Sequence, residues 1–155
     1  MKKGFTMIEL IFVIVIIGIL AAVAIPKLSA TRDDAKIATA ASEVGMAVSD
    51  IGAYYTAHGK LAKLGDMTNV VFYTSSSSSA VANDANGTDM NSTTIVYYNV
   101  PKDKGCISFK GSATDGNLTV AKITTNTASV CTGVQTAVKK LLGTHKFGGS
   151  SVNFN

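Results

Sequence analysis

The sequence predicts an α+β fold: a long N-terminal helix, transmembrane in its first half, packed by its second half on a small antiparallel β-sheet and followed by a short C-terminal helix. Three observations carry this. Apolar residues fill 18 of the 21 positions from Phe5 to Ile25, the exceptions being Thr6, Glu9 and Gly18. Ile37, Ala41, Val44, Val48, Ile51 and Tyr55 then step alternately by four and three, as one face of an amphipathic helix does. Short β-branched and aromatic runs punctuated by turn residues fill much of the rest. The 155 residues suffice for one domain and an anchor, and exclude a large multidomain enzyme.

The first element begins with the basic start Met1-Lys2-Lys3-Gly4. Twenty-one helical residues at ~1.5 Å each rise ~31 Å, about one bilayer core. The lysines precede the span, so the positive-inside rule leaves the start in the cytoplasm and sends the body outside. Three identities compete. A cleaved secretory signal would use Ala22-Val23-Ala24 as its A-x-A site. Against it, the apolar run is longer than a signal needs and Glu9 sits awkwardly near its start. A plain uncleaved anchor would carry a periplasmic binding domain.

The third identity rests on particular residues. Gly4-Phe5-Thr6-Met7-Ile8-Glu9-Leu10-Ile11, continuing through Gly18-Ile19-Leu20-Ala21-Ala22-Val23-Ala24-Ile25-Pro26, closely resembles the N-terminus of type IV pilins and the pseudopilins of type II secretion. About 30 residues carry the match: a basic leader, Gly before Phe, and Glu four residues after that Phe. The resemblance implies that a prepilin peptidase cuts between Gly4 and Phe5 on the cytoplasmic side, and that the amine of Phe5 is then N-methylated. Losing Lys2 and Lys3 lowers the formal net charge from +4 to +2.

Physical chemistry singles out Glu9 within this run. A carboxylate in an apolar span costs ~2.5 kcal/mol or more and needs a partner. Cleavage would create an amine at Phe5, one helical turn away, and in a bundle Glu9 can meet the amine of a neighbouring subunit. An unpaired charge in lipid disfavours every other stagger, so the pair sets register. The alternative is a glutamate that merely sits at the headgroups. Phe5 and the apolar residues after it serve as membrane anchor and then as filament core. Gly18 and Pro26 bracket a region of helix flexibility, because Pro26 cannot donate to residue 22 and crowds that turn. The resemblance further implies local unwinding there in filaments.

Beyond Pro26 the helix continues to about Tyr55, ~75 Å from Phe5 if straight. Lys36, Glu43 and Asp50 repeat every seven residues on another face, and Gly45 and Gly52 permit close approach of a neighbouring element. Strands are predicted at Val70 to Thr74, Ile95 to Val100, Cys106 to Phe109 and Leu118 to Thr124. Turns at Pro101 to Gly105 and Asp115-Gly116 make the last three an antiparallel meander. Ala128 to Leu142 reads as the second helix, ending in Lys139-Lys140 before Gly143. His145 to Phe154 returns as an edge strand.

Cys106 and Cys131, both beyond the membrane-directing segment, fit one disulfide in an oxidising compartment. Closing that span stabilises the fold by ~3.5 kcal/mol in the chain-entropy model. The alternative is two buried thiols; the spacing matches no zinc pattern.

Ser75 to Ser79 and Asn83 to Ser92 have the composition of a mobile surface loop. Asp84, Asn86, Asp89 and Asn91 resemble calcium ligands only superficially, since Gly87 is misplaced for an EF-hand and no Glu closes the loop. Three stretches around Asn86, Asn91 and Asn117 read D-x-N-x-[ST]. N-x-[ST] is a glycosylation acceptor outside the cytoplasm, and the preceding Asp resembles the extended acceptor of some bacterial oligosaccharyltransferases. Ordinary turn chemistry yields the same composition.

No catalyst is expected. His58 and His145 lack metal-ligand spacing, Asp33-Asp34 beside Arg32 reads as a solvated helix turn, and no G-x-S-x-G, H-E-x-x-H or P-loop occurs. No cofactor or metal is expected either. With 14 basic against 10 acidic residues and no basic cluster beyond Lys139-Lys140, nucleic-acid binding has little support, though it is not excluded.

The expected organisation is a leader at 1–4, a transmembrane and filament-core segment at 5–26, and a head at 27–155. The expected function is a structural subunit of a type IV pilus-like filament. Its alternative is a pseudopilin of type II secretion or DNA uptake; the outside alternative is an anchored periplasmic binding domain. The expected partners are copies of itself, other pilin-like subunits, the prepilin peptidase and an assembly platform in the bacterial inner membrane. The precursor would be single-pass with a cytoplasmic N-terminus, and the assembled form a periplasmic or surface filament.

Overall fold

The computed structural model describes residues 4–76, 85–90, 95–100, 105–112 and 116–148. Two compact units divide the chain, residues 1–35 and 36–155. Helix α1 runs Met7–His58 and contributes to both. It ends where Gly59, at φ +67°, closes the last turn by donating to the Tyr55 carbonyl at 2.7 Å. That left-handed conformation is open to glycine and costly for other residues.

In the first unit α1 is apolar on all sides from Leu10 to Ile25, and carries its charges at Glu9 and from Lys27 onward. In the second, Ala40, Val44, Ala47, Val48 and Ile51 are buried, with Ile37, Ala41 and Tyr55 packed beside them. Gly52 allows the closest approach: a Cβ there would lie 2.8 Å from the Phe147 ring. Gly45, by contrast, leaves only ordinary clearance, 3.8 Å to Leu141.

The sheet is antiparallel with order β1-β2-β3-β4, comprising β1 (Ile95–Asn99), β2 (Gly105–Gly111), β3 (Asn117–Lys122) and β4 (Gly143–Lys146). Period-two alternation turns Val96 and Tyr98, Ile107 and Phe109, and Leu118 and Val120 into the core. The register places Val96 opposite Phe109 and Phe109 opposite Val120, so three neighbouring strands join one apolar row. Phe72 meets Phe109 edge-on, with ring centroids 4.8 Å apart. Gly116, at φ +61°, brings the chain into β3 where a Cβ would collide with the Tyr55 ring.

Three sequence expectations need correction. Val70 to Thr74 is not a strand; only Tyr73 pairs with β1, exchanging two 2.8 Å hydrogen bonds with Tyr97. Its neighbour Phe72 instead accepts from the Ala85 amide at 2.8 Å, which turns the segment away from the sheet edge. The described part of the supposed surface loop, residues 85–90, is stitched inward. Ala85 and Met90 are fully buried, and the carbonyls of Asn86 and Thr88 accept from Gly65 and Leu64 of the short helix α2 (Leu64–Met67). The second helix is shorter than expected: α3 covers Ser129–Ala137, then a 3-10 turn at Lys139–Leu141 swings the chain into β4. Residues 77–84, 91–94, 101–104, 113–115 and 149–155, where much of the serine run, parts of two predicted turns and the end of the predicted edge strand fall, lie outside the described residues.

Two charged positions of the α1 heptad act as tethers. The Tyr98 hydroxyl donates to Glu43 Oε2 at 2.7 Å, and the Thr68 hydroxyl to Asp50 Oδ2 at 2.9 Å. Burial is the main cause that pushes the Tyr98 phenol well above its ordinary value, with the bond to Glu43 and its negative charge adding to it.

Candidate processing and assembly site

Residues 4–6 precede the helix, and a Cβ on Gly4 would meet nothing within 4 Å. The Gly4–Phe5 peptide is therefore outside helical hydrogen bonding and sterically open, the condition under which a peptidase can engage a backbone. Phe5 is 88% exposed.

The helix starts where it does because Thr6 and Glu9 cap it reciprocally. Glu9 Oε2 accepts from the Thr6 backbone amide at 2.8 Å and from its hydroxyl at 2.7 Å, while the Glu9 amide approaches Thr6 Oγ1 at 3.4 Å. This is a capping box, with Thr at the N-cap and Glu three residues on. Thr6 is the site residue that the sequence analysis missed. Its signal was T-x-x-E at the head of an apolar run, overlooked because Glu9 was sought a charged partner. In the uncut chain the Phe5 nitrogen is a peptide amide and carries no charge.

From Gly4 to Ala35 every side chain except those of Ala21 and Asp33 is exposed. Ile8 is 77% exposed and Leu28 69%, so this surface exceeds by far the apolar patches that water tolerates. Its length and composition suffice to cross a membrane. Gly18 and Pro26 both lie inside α1, which is continuous through them.

The remaining candidates lie in the second unit. Cys106 and Cys131 form a disulfide, with Cα atoms 5.4 Å apart and both residues fully buried. It joins β2 to α3, and Gln135 Nε2 reinforces the junction by donating to the carbonyls of Cys106 at 3.1 Å and Ile123 at 2.9 Å. Asn86 is half-buried with its Oδ1 sealed from solvent, whereas Asn117 begins β3 on the sheet face away from the core. Asn91 and Asp84 lie outside the described residues. His58 stacks on Tyr54, and His145 Nε2 donates to the Leu141 carbonyl at 2.7 Å. Among the described residues no three His, Cys, Asp or Glu side chains gather where a metal could bind.

The chain has no significant match among curated proteins or solved structures. Its N-terminus does match a family model: residues 1–25 carry the prokaryotic N-terminal methylation motif, the prepilin signature of type IV pilins and pseudopilins.

Proposed function

We propose that the chain is a structural subunit of a type IV pilus-like filament. It is made as an inner-membrane precursor, cut between Gly4 and Phe5, N-methylated at Phe5, and polymerised through its apolar helix. The observation that carries this reading is the coincidence of the methylation motif at 1–25 with a helix that starts just past the cleavage point and exposes an all-round apolar surface. Such a surface is stable only in lipid or against other helices of its kind, so the same residues serve before and after assembly. Three segments divide the work: a leader at 1–4, a membrane and filament-core segment at 5–26, and a head at 27–155.

Glu9 supplies register. Thr6 engages Oε2 alone, leaving Oε1 open to a second donor. In the precursor the capping box partly satisfies the carboxylate; in the filament the Phe5 amine of a neighbour takes the open oxygen. Glu9→Ala is expected to leave processing and insertion intact and to lower filament yield about tenfold or more, the equivalent of ~1.4 kcal/mol per subunit contact. Electron microscopy of sheared fractions checks this, and normal filaments from the variant would refute the register role. Gly4→Phe is expected to abolish cleavage; mature Phe5 ends in that variant would count against peptidase recognition at this bond.

The first test is the N-terminal sequence and mass of the protein from native membranes. N-methylated Phe5 supports the proposal. A terminus at Ile25 would identify an exported protein and an uncut one a simple anchor, and either would remove the role of Glu9.

A further inference from the structure

Of the three D-x-N-x-[ST] asparagines, Asn86 and Asn117 lie among the described residues, and the fold separates these two. Asn86 sits in a turn whose carbonyl is bound to the Gly65 amide at 2.9 Å, its own side chain half-buried and its Oδ1 shut off from solvent. Its Cβ lies close against α2, 3.3 Å from where a Cβ on Gly65 would stand. Asn117 is the first residue of β3, directly after the β2–β3 turn. Leu118 and Val120 point into the core, so period two places Asn117 and Thr119 together on the opposite face of the sheet. Asn117 is half-buried, as Asn86 is, so the two differ in which face they take rather than in exposure. Thr119 Oγ1 shares a 3.2 Å hydrogen bond with Thr144 Oγ1, which fixes the sequon hydroxyl on the same outer face. The residue opposite Asn117 is Lys146 of the four-residue edge strand β4.

We infer that Asn117 is an N-glycosylation site, modified outside the cytoplasmic membrane by an oligosaccharyltransferase that uses a polyprenyl-diphosphate-linked oligosaccharide. The amide nitrogen of Asn117 attacks the anomeric carbon of the first sugar. A C–N bond forms, the bond from that carbon to the diphosphate oxygen breaks, and the amide gives up one proton as the polyprenyl diphosphate leaves. The finished head accommodates the product: the Asn117 side chain points off the sheet, and the core residues behind it stay untouched. The inference rests on the proposed export of the head beyond the membrane, and its test is read separately from that proposal.

Trypsin isolates the site. Cleavage after Lys110 and Lys122 yields residues 111–122 with Asn117 as their one sequon, while Asn86 and Asn91 fall together in residues 64–102. Mass spectrometry of protein from the native organism is expected to show residues 111–122 enlarged by an oligosaccharide and releasing sugar fragments. Asn117→Gln, Thr119→Ala and Asp115→Ala should each return that peptide to its bare mass, and Thr119→Ser should keep the glycan. Bare 111–122 in the native protein overturns the inference, as does a glycan confined to 64–102. The terminal peptide of the same digest reports on processing independently: an N-methylated Phe5 beside a bare 111–122 rejects the glycan alone, and an uncut N-terminus rejects the processing proposal.

Discussion

Glu9 and Glu43 stand on the same helix, and their partners differ in kind. Glu9 is held by Thr6, three residues away, whereas Glu43 receives the hydroxyl of Tyr98, 55 residues away. The surroundings differ in the same way. Before Ala35 the helix exposes nearly everything it carries, including Ile14 at 58% exposure; after Lys36 it buries a regular stripe that includes Ile51 at 0%. One secondary structure thus meets two surroundings. Where no other described element covers the helix, the chain satisfies a charge only locally. Where a sheet covers the helix, tertiary structure supplies the partner.

The largest expected effect tests whether the second region is held from outside the helix. Replacing Cys106 and Cys131 together by serine should cost the head about 3.5 kcal/mol, from the loop of 25 residues that the disulfide closes. Urea unfolding of the full chain in detergent, followed by near-ultraviolet circular dichroism, measures it. Membrane insertion should not change. If insertion fails as well, the two regions are not energetically separate.

Truncating one isoleucine in each region sharpens the point. Ile51→Ala removes a fully buried side chain and should lower head stability by about 3 kcal/mol. Ile14→Ala should leave the head's urea midpoint where it was, since Ile14 is exposed and is not one of the core residues. Equal losses from the two would break the comparison.

What the sequence made legible follows the same division. The processing signature lies in contiguous residues, so the resemblance that the motif match at 1–25 bears out needed no knowledge of the fold. The stripe from Ile37 to Tyr55 was legible because a helix repeats its face, and the disulfide because two cysteines allow one pairing. Val70 to Thr74 misled because its residues favour strands, while the pairing of the Phe72 carbonyl depends on Ala85 across a stretch with no local signal. Ala85 and Met90 were hidden for a related reason: their Asn, Asp and Gly neighbours dominate the composition, yet these two side chains reach the core. Helix α2 is one turn long, too short for any period to register. The Glu43 and Asp50 tethers appeared only as heptad charges, because Tyr98 and Thr68 lie on elements that approach α1 only in the folded head.

The smallest expected effect concerns the Glu43–Tyr98 pair. Tyr98→Phe removes the donor and leaves a half-buried carboxylate short of one hydrogen bond, a cost of about 1–1.5 kcal/mol at neutral pH. The pair also predicts an alkaline signature with a definite sign. The Tyr98 phenol in the folded head is raised above its ordinary value of 10.0, so above pH 10 the unfolded chain releases a proton that the folded chain keeps. Its stabilisation is complete below pH 10 and falls as pH rises, by at most about 1.4 kcal/mol per pH unit. Phenylalanine cannot titrate, so the variant loses this contribution to the slope while keeping those of every lysine and other tyrosine. The gap between the two proteins in urea midpoint should therefore narrow from pH 8 to pH 11. A gap that stays constant would mean that Tyr98 ionises as readily in the folded head as in the unfolded chain, and Glu43 would then be no more tied to the sheet than Glu9 is.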